Sequence, residues 1–447
     1  MTSTAPADTA EISAPPEAQR RVLTVLVVSQ VLSGAGLAAG ITVGALLAQD
    51  MLGSADLAGL PSTLFTAGSA LAAVAVGRLS QARGRRPGLA AGYLTGAVGS
   101  AGVIAATVAD QPVLLFLALF VYGAGTATNL QARYAGADLA APAHRARAVS
   151  TVLVATTLGG VVGPNLAAPT GDLADTLGIP PLAGPFLLAG VAYALAALVL
   201  AVRLRPDPLL LARRLDSRRR AAVSATRAAA ERDTATPGAG PDGDGPPAPE
   251  DPRRPGLMLG ALTMILTQLV MVAIMTMTPV HMHDHGHGTA ASGLVIAIHV
   301  GAMYLPSPLT GWLVDLTHAR FRSPGGAPVG RVAVAAASGL TLLAAGILAA
   351  VAPGDSVALL ALALALLGLG WNFGLVSGTA MITDAVPLAT RAKTQGTVDV
   401  AIAIAGATGG LASGLVVSAA GYPVLALTGG ILSLAVLPAV AATASSR

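Results

Sequence analysis

What most constrains this chain is a rhythm of apolar runs. From Leu23 onward the sequence falls into stretches of roughly 20 residues separated by short polar breaks, the length needed to cross about 30 Å of hydrocarbon at ~1.5 Å per residue. The runs are Leu23–Leu47, Leu57–Val76, Leu89–Val108, Val113–Tyr134, Val149–Ala168, Phe186–Val202, Leu257–Val280, Ser292–Val314, Val332–Val351, Val357–Met381, Val398–Val417 and Val424–Ala442. Inside hydrocarbon every backbone N–H and C=O must be paired within the protein, so runs of this length predict helices. The predicted fold class is an all-α membrane protein with twelve transmembrane helices in two six-helix bundles. Composition agrees: 11% of residues are charged, against about a quarter in soluble domains. The chain has no Cys, which excludes disulfides, zinc-thiolate sites and thiol nucleophiles.

Residues 1–20 are polar, Pro-rich and acidic, without the basic start or small-residue cleavage site of a secretory signal, and read as a disordered cytoplasmic tail. Residues 21–203 form the first bundle, 257–442 the second, and 443–447 a short cytoplasmic tail. Between the bundles, residues 204–256 change character: Leu209 to Asp233 is rich in Arg and Ala, as expected of a surface helix, and Thr234 to Pro255 is Pro, Gly and Asp, as expected of a disordered linker. Arg78, Arg83, Arg85, Arg86, Arg145, Arg147, Arg320, Arg322, Arg331, Arg391 and Lys393 all fall in breaks of one parity, whereas the opposite breaks hold no Lys or Arg but several Asp. The positive-inside rule then places both termini in the cytoplasm and the chain in the cytoplasmic membrane. The net charge of +4 follows from topology, and no nucleic-acid partner is needed to explain it.

The two halves repeat each other. Gly77-Arg-Leu79-Ser-Gln81-Ala-Arg83-Gly84-Arg85-Arg86 after the second run matches Gly311-Trp-Leu313-Val-Asp315-Leu-Thr-His-Ala-Arg320 after the eighth, at an offset of 234. Asp138, Arg145, Ala146 and Arg147 match Asp384, Arg391, Ala392 and Lys393 at an offset of 246. With these repeats, the chain from about residue 21 to 442 resembles the major facilitator superfamily. The resemblance implies alternating access by two pseudo-symmetric bundles, a monomer, and a latch between halves built from Gly77, Gly84, Arg85, Arg86, Gly311, Asp315 and Arg320. Gln81 stands where the family usually carries an acid, so a weaker charge latch is expected there; the competing expectation is that these loops only anchor topology. Gly159-Gly160-Val-Val-Gly163-Pro164 in the fifth run is similar to the helix-five element of the family's antiporters, and Gly159, Gly163 and Pro164 are the residues that carry it. Leu119 replaces the helix-four arginine common in drug/proton antiporters.

Ionisable groups deep in a bilayer are costly and mark candidates for coupling. Asp399 and His299 are the expected proton-coupling groups; the alternatives are a helix-start acid and a histidine satisfying a nearby carbonyl. Helices one, four, seven and ten line the cavity in the superfamily, so substrate contacts are expected from Gln30, Asn129, Arg133, Gln268, Trp371 and Asn372, and Tyr304 of the eighth run is expected to join them. Hydrogen bonding between helices is the other use for the polar ones, and snorkelling to the interface the other use for Arg133. The outer segment His281-Met-His283-Asp284-His285-Gly-His287 carries alternating imidazoles that suit borderline metals, although no intramembrane carboxylate partners complete a path.

Phosphate-loop, nucleophile-elbow and zinc-protease patterns are absent, so neither an enzyme nor a cofactor is expected. The expected function is secondary active, proton-coupled efflux of small amphipathic or toxic organic compounds across the lipid bilayer. The alternatives are proton-symport uptake of a small metabolite and a metal-binding or metal-exporting membrane protein using the histidine segment.

Overall fold

A computed structural model describes residues 15–52, 60–234, 254–320 and 329–445. Among them there is only helix. The first half comprises α1 (Pro16–Leu52), α2 (Leu60–Arg83), α3 (Arg85–Val108), α4 (Pro112–Ala137), α5 (Arg145–Asn165), α6 (Ala167–Thr176) and α7 (Gly184–Arg203), followed by α8 (Pro208–Thr234). The second half comprises α9 (Arg254–Asp284), α10 (Thr289–Tyr304), α11 (Ser307–Arg320), α12 (Val329–Val351), α13 (Val357–Ala385), α14 (Arg391–Ala420), α15 (Tyr422–Ser433) and α16 (Val436–Ser445). Ten helical stretches among the described residues are long and apolar enough to cross a membrane; α1 and the α5–α6 pair complete twelve crossings. Three crossings are interrupted, at Leu166, at Leu305–Pro306 and at Leu434–Ala435. At the second of these, Pro306 has no N–H for the helical ladder, and its ring disfavours helical continuation.

The halves share one plan. In the first, α3 packs on α4 and α7, α1 on α5, and α2 on α4; in the second, α12 packs on α13 and α15, α9 on α14, and α10 on α13. The first core centres on an aromatic cluster in which Tyr122 lies 5.3 Å from Phe186 and 5.6 Å from Tyr193, and Tyr193 lies 5.7 Å from Tyr93. Tyr193 fits only because Gly125 has no side chain: a Cβ there would sit 2.5 Å from the ring. The second core is aliphatic, with Leu342, Leu360, Leu364, Leu367, Val376 and Ile382 fully buried.

Around both halves runs an outward-facing apolar belt that includes Leu94, Val98, Leu117, Leu198, Leu415 and Ile431. Apolar patches of this extent are not left facing water, and the belt is the surface a bilayer covers. The halves meet along two equivalent seams, α2 against α14 and α5 against α11. These seams carry the site.

Candidate functional site: the inter-half seams and the central ion pair

Both seams are built the same way at the end of the bundle that holds the arginines, here called the basic end. On α2, Gly77 lies against the start of α14, where a Cβ would come within 2.9 Å of Ala392 O and 3.1 Å of Gly396 Cα. On α11, Gly311 lies against the start of α5, where a Cβ would come within 2.7 Å of Ala146 O and 2.3 Å of Ser150 Oγ. Each glycine is followed four residues later by a side-chain cap. Asp315 accepts from the backbone N–H groups of Ala146 at 3.2 Å and Arg147 at 2.9 Å. Gln81 Oε1 accepts from Ala392 at 2.8 Å and Lys393 at 3.4 Å. Those are first-turn N–H groups with no partner inside their own helix, so each half satisfies the helix start of the other. Gln81 carries no charge, yet its amide also donates to Ala389 O at 2.5 Å and Leu388 O at 3.3 Å, contacts a carboxylate could not make. The loss of the acid at this position is thus matched by two further bonds across the seam.

Beneath the caps lies a paired charge network. Arg85 Nε donates to Asp138 at 2.8 Å, and Arg391, from the other half, lies 3.9 Å from the same carboxylate. The mirror arrangement uses Arg331 and Arg145, both ion-paired with Asp384. Arg85 and Arg331 are related by the same 246 offset as Asp138 and Asp384. Arg331, whose Nη2 also reaches Pro142 O across the seam at 2.8 Å, therefore takes in the second half the place that the 234 alignment would give to the neighbourhood of Arg320. The side chain of Arg320 lies outside the described residues. Arg85 further donates to Gln395 at 2.5 Å across the α3–α14 gap.

The remaining predicted seam residues attach α8. Gly84, at φ 101°, makes the turn from α2 into α3, and a Cβ there would lie 2.4 Å from Asp207 Oδ2. A left-handed backbone and a close neighbour together require glycine. Asp207 in turn accepts from the backbone N–H of Arg86 at 2.7 Å and from Leu209 and Leu210 at 3.1 Å each, capping α8. From α8, Arg213 donates to Gln81 O at 2.9 Å and Leu388 O at 3.3 Å, touching both halves.

Deeper in, the seam carries a single asymmetric ion pair. Arg133 on α4 donates to Asp399 Oδ1 on α14 at 2.7 Å, with Arg133 0% and Asp399 6% exposed. Tyr134 donates to the same oxygen at 3.2 Å, and Arg133 reaches Tyr134 at 3.0 Å and Thr379 on α13 at 3.1 Å. At the 246 offset, Arg133 corresponds to Thr379 and Asp399 to Leu153, so the second copy of the pair does not exist. Asp399 Oδ2 is buried and has no hydrogen-bond partner. Asp399 stands eight residues into α14, beyond the first turn, so the helix-start reading does not describe it. Arg133 does not snorkel; it is held inside the protein.

His299 is fully buried within the second half, where Nδ1 meets Leu364 O at 2.8 Å and Nε2 has no partner. This is the carbonyl-satisfying arrangement. Gln30 is also internal to its half: it donates to Asn129 O at 3.1 Å and Thr156 at 3.0 Å and accepts from Tyr93 at 2.6 Å, while Asn129 donates to Ser33 at 2.9 Å. Asn372 is similarly committed to Met303 O at 2.7 Å, Ser307 at 2.6 Å and Thr310 at 2.5 Å. Gln268, Trp371 and Tyr304 form a different group: Trp371 donates to Gln268 at 2.7 Å and packs edge-on to Tyr304 with centroids 5.6 Å apart.

Gly159 lies against α1, where a Cβ would meet Val31 O at 2.2 Å and Ala35 N at 2.7 Å. The side-chain environment of Gly163 and Pro164 lies outside the described residues. In the outer segment His281 stacks on Tyr422 at 4.3 Å, His285 folds back on His281 O at 2.7 Å, His287 reaches Gly354 O at 2.8 Å, and His283 is exposed. Among the described residues no three His, Cys, Asp or Glu side chains converge as metal ligands would.

Two seams of equivalent construction around an off-centre buried ion pair are the geometry of a two-bundle carrier, and sequence comparison agrees. The profile of the Major Facilitator Superfamily matches residues 26–337. The chain belongs to the major facilitator superfamily. It is 53% identical over 421 residues to the "Uncharacterized MFS-type transporter YdeG" of Bacillus subtilis (strain 168), covering 94% of this chain and 91% of that one. It is 31% identical over 388 residues to the "Riboflavin transporter RfnT" of Brucella anthropi, covering 86% and 85%. The human organic anion transporter MFSD10 (TETRAN) superposes with a TM-score of 0.68 at 18% identity, over 96% of this chain and 100% of that one. Members of this superfamily are membrane transporters, not enzymes.

Proposed function

We propose that this superfamily member exports small amphipathic organic compounds from the cell in exchange for protons, with the basic end toward the cytoplasm. The observation that carries the reading is the Arg133–Asp399 pair, a buried ion pair joining the two halves in which one carboxylate oxygen is left without a partner. The pair closes the seam when Asp399 is charged. A proton arriving from outside neutralises Asp399, removes the attraction to Arg133 and weakens the closed basic end. The halves then rock, and the proton leaves on the cytoplasmic side. Tyr134 is the other titratable side chain hydrogen-bonded to Asp399.

In this scheme the capped helix starts at Gln81 and Asp315, with the Asp138 and Asp384 networks, form the cytoplasmic gate, and the described arrangement is the outward-facing state. The Gln268–Trp371–Tyr304 group offers an aromatic wall and two polar edges, which suits planar cargo. The riboflavin transporter among its relatives supports a planar, heteroaromatic cargo, and Gly159 against α1 supports antiport in line with the helix-five element. Gln30, Asn129 and Asn372 hold helices together, and His299 holds the Leu364 carbonyl; none of the four is assigned to substrate or proton.

The test is growth of a drug-sensitive host expressing wild type or Asp399→Asn across dyes, antibiotics, flavins and transition metals. Resistance to planar organic compounds that disappears in the variant is the expected result. Resistance confined to metals, or accumulation of a flavin in place of its exclusion, would overturn export of organic cargo and point to the alternative it matches.

A further inference from the structure

Beside the gate lies a cavity of ≈ 180 Å³ whose charged lining is Arg145, Asp216, Arg220, Asp384 and Arg391, with Pro387 and Leu388 forming its apolar floor. It is assembled from three parts of the chain: the start of α5, the linker helix α8, and the junction from the end of α13 to the start of α14. The volume equals about six waters at ~30 Å³ each, ample for a tetrahedral oxyanion with some of its hydration.

The charge count around it does not balance. Asp138 and Asp384 are shared among four guanidiniums, Arg85, Arg145, Arg331 and Arg391, and Asp216 pairs with Arg220 at 2.9 Å. Apart from the exposed Arg220–Asp216 pair, four buried or largely buried guanidiniums share two carboxylates, with Asp315 also facing Arg331, so positive charge is in excess. Buried or half-buried guanidiniums without a full complement of anions are costly, and a ligand that supplies the missing charge relieves that cost. A second observation points the same way: Arg145 Nε, on the cavity wall, is buried with no hydrogen-bond partner. Arg391 is 5% exposed; its Nε donates to Val386 O at 3.2 Å, but its only ion pair is a loose 3.9 Å contact with Asp138. Guanidinium forks bind phosphate oxygens bidentately, and a phosphate group supplies negative charge where the cavity is short of it.

We propose that this cavity is a phosphate-binding site in which one phosphate group is held jointly by Arg145, Arg220 and Arg391. Because those residues belong to the first half, the linker and the second half, the bound phosphate ties the gate shut and couples α8 to it. The gate effect rests on the alternating-access reading given above; the binding does not. The phosphate is either free in solution or the headgroup phosphodiester of an anionic lipid, and the two are separable.

The test uses the full chain in nanodiscs. In uncharged phosphatidylcholine, inorganic phosphate is titrated by calorimetry into wild type, Arg220→Gln and Arg220→Lys, with chloride at equal ionic strength as control. Arg220 lies on the linker outside the inter-half ion pairs, so the variant leaves the gate's own bonds in place. Saturable binding near one equivalent, weakened about tenfold in Arg220→Gln and largely restored in Arg220→Lys, is expected if the source is free phosphate; loss of one charge-assisted contact is worth a factor of that order. If the source is lipid, phosphate does not bind in phosphatidylcholine, and phosphatidylglycerol is retained at about one per chain by native mass spectrometry in wild type but not in Arg220→Gln. Absence of both, or equal behaviour of wild type and Arg220→Gln, overturns the site. Binding without any effect of phosphate on transport would leave the site standing and refute only its role in the gate.

Discussion

Asp315→Ala isolates one cap of the gate. In the closed state the carboxylate takes two first-turn N–H groups of α5 from the opposite half, at 3.2 and 2.9 Å. When the seam parts, those N–H groups and the carboxylate are free to meet water, so the bonds stabilise the closed state alone. Hydrogen bonds to a charged group contribute about 1.5 kcal/mol each at the low end, so two are worth ~3 kcal/mol, or roughly 150-fold in the closed-to-open ratio. A gate closed about 100 to 1 then falls to nearly even populations. The chain has no Cys, so spin labels can be placed without background at Arg83→Cys and Lys393→Cys, exposed positions on opposite halves beside the other seam. Electron–electron distance measurement should show one short distance in wild type and a second, longer population of comparable weight in Asp315→Ala. The remote seam must open because the halves move as bodies. A distribution unchanged by the substitution, or broadened without a second population, would refute the argument that these caps hold the halves together.

Further outcomes follow from the same contacts. Asp399→Asn leaves the Arg133 guanidinium buried without its counter-charge and should cost about 3–5 kcal/mol, read as lowered thermal stability in detergent; Arg133→Met with Asp399→Leu should return stability near wild type while leaving transport dead. Gly159→Ala puts a methyl 2.2 Å from Val31 O, and the α1–α5 separation it forces should cost about 1–3 kcal/mol, measured as reduced thermal stability of purified protein. Trp371→Phe keeps the ring against Tyr304 but loses the bond to Gln268, and cargo affinity should fall about fivefold, the worth of ~1 kcal/mol. His281→Ala with His283→Ala should leave zinc and copper tolerance unchanged: the His281 and His285 rings lie 4.3 Å apart, but no third His, Cys, Asp or Glu joins them among the described residues.

The twelve-helix plan and its duplication were legible in the sequence because length and apolarity suffice to define a bilayer crossing, and the glycine and aspartate repeats mark equivalent helix ends. The equivalence of Arg85 and Arg331 was hidden by a change of offset from 234 to 246 between the two repeats, although the second offset, extended backwards, identifies it. Gln81 read as a loss of charge; its gain, two donated bonds to Leu388 and Ala389, needs the opposing turn in place. Arg133 and Asp399 were each conspicuous alone, but they are 266 residues apart in the chain, and nothing in local pattern says that one neutralises the other. Gln30, Asn129 and Asn372 looked like cavity residues because a polar side chain in an apolar helix has two uses, binding cargo or holding a neighbouring helix. Sequence spacing does not tell the two uses apart; in the folded chain all three side chains bond to neighbouring helices.

The central claim is that protonation of Asp399 releases the seam. It is tested most directly by following the Arg83→Cys/Lys393→Cys distance as pH is lowered from 8 toward 5 in wild type and in Asp399→Asn. The account predicts a short distance at high pH in wild type and growth of the longer population on acidification, as neutral Asp399 no longer holds Arg133. It also predicts a pH-independent distribution in Asp399→Asn. An equal pH response in both proteins, or none in wild type, would contradict it.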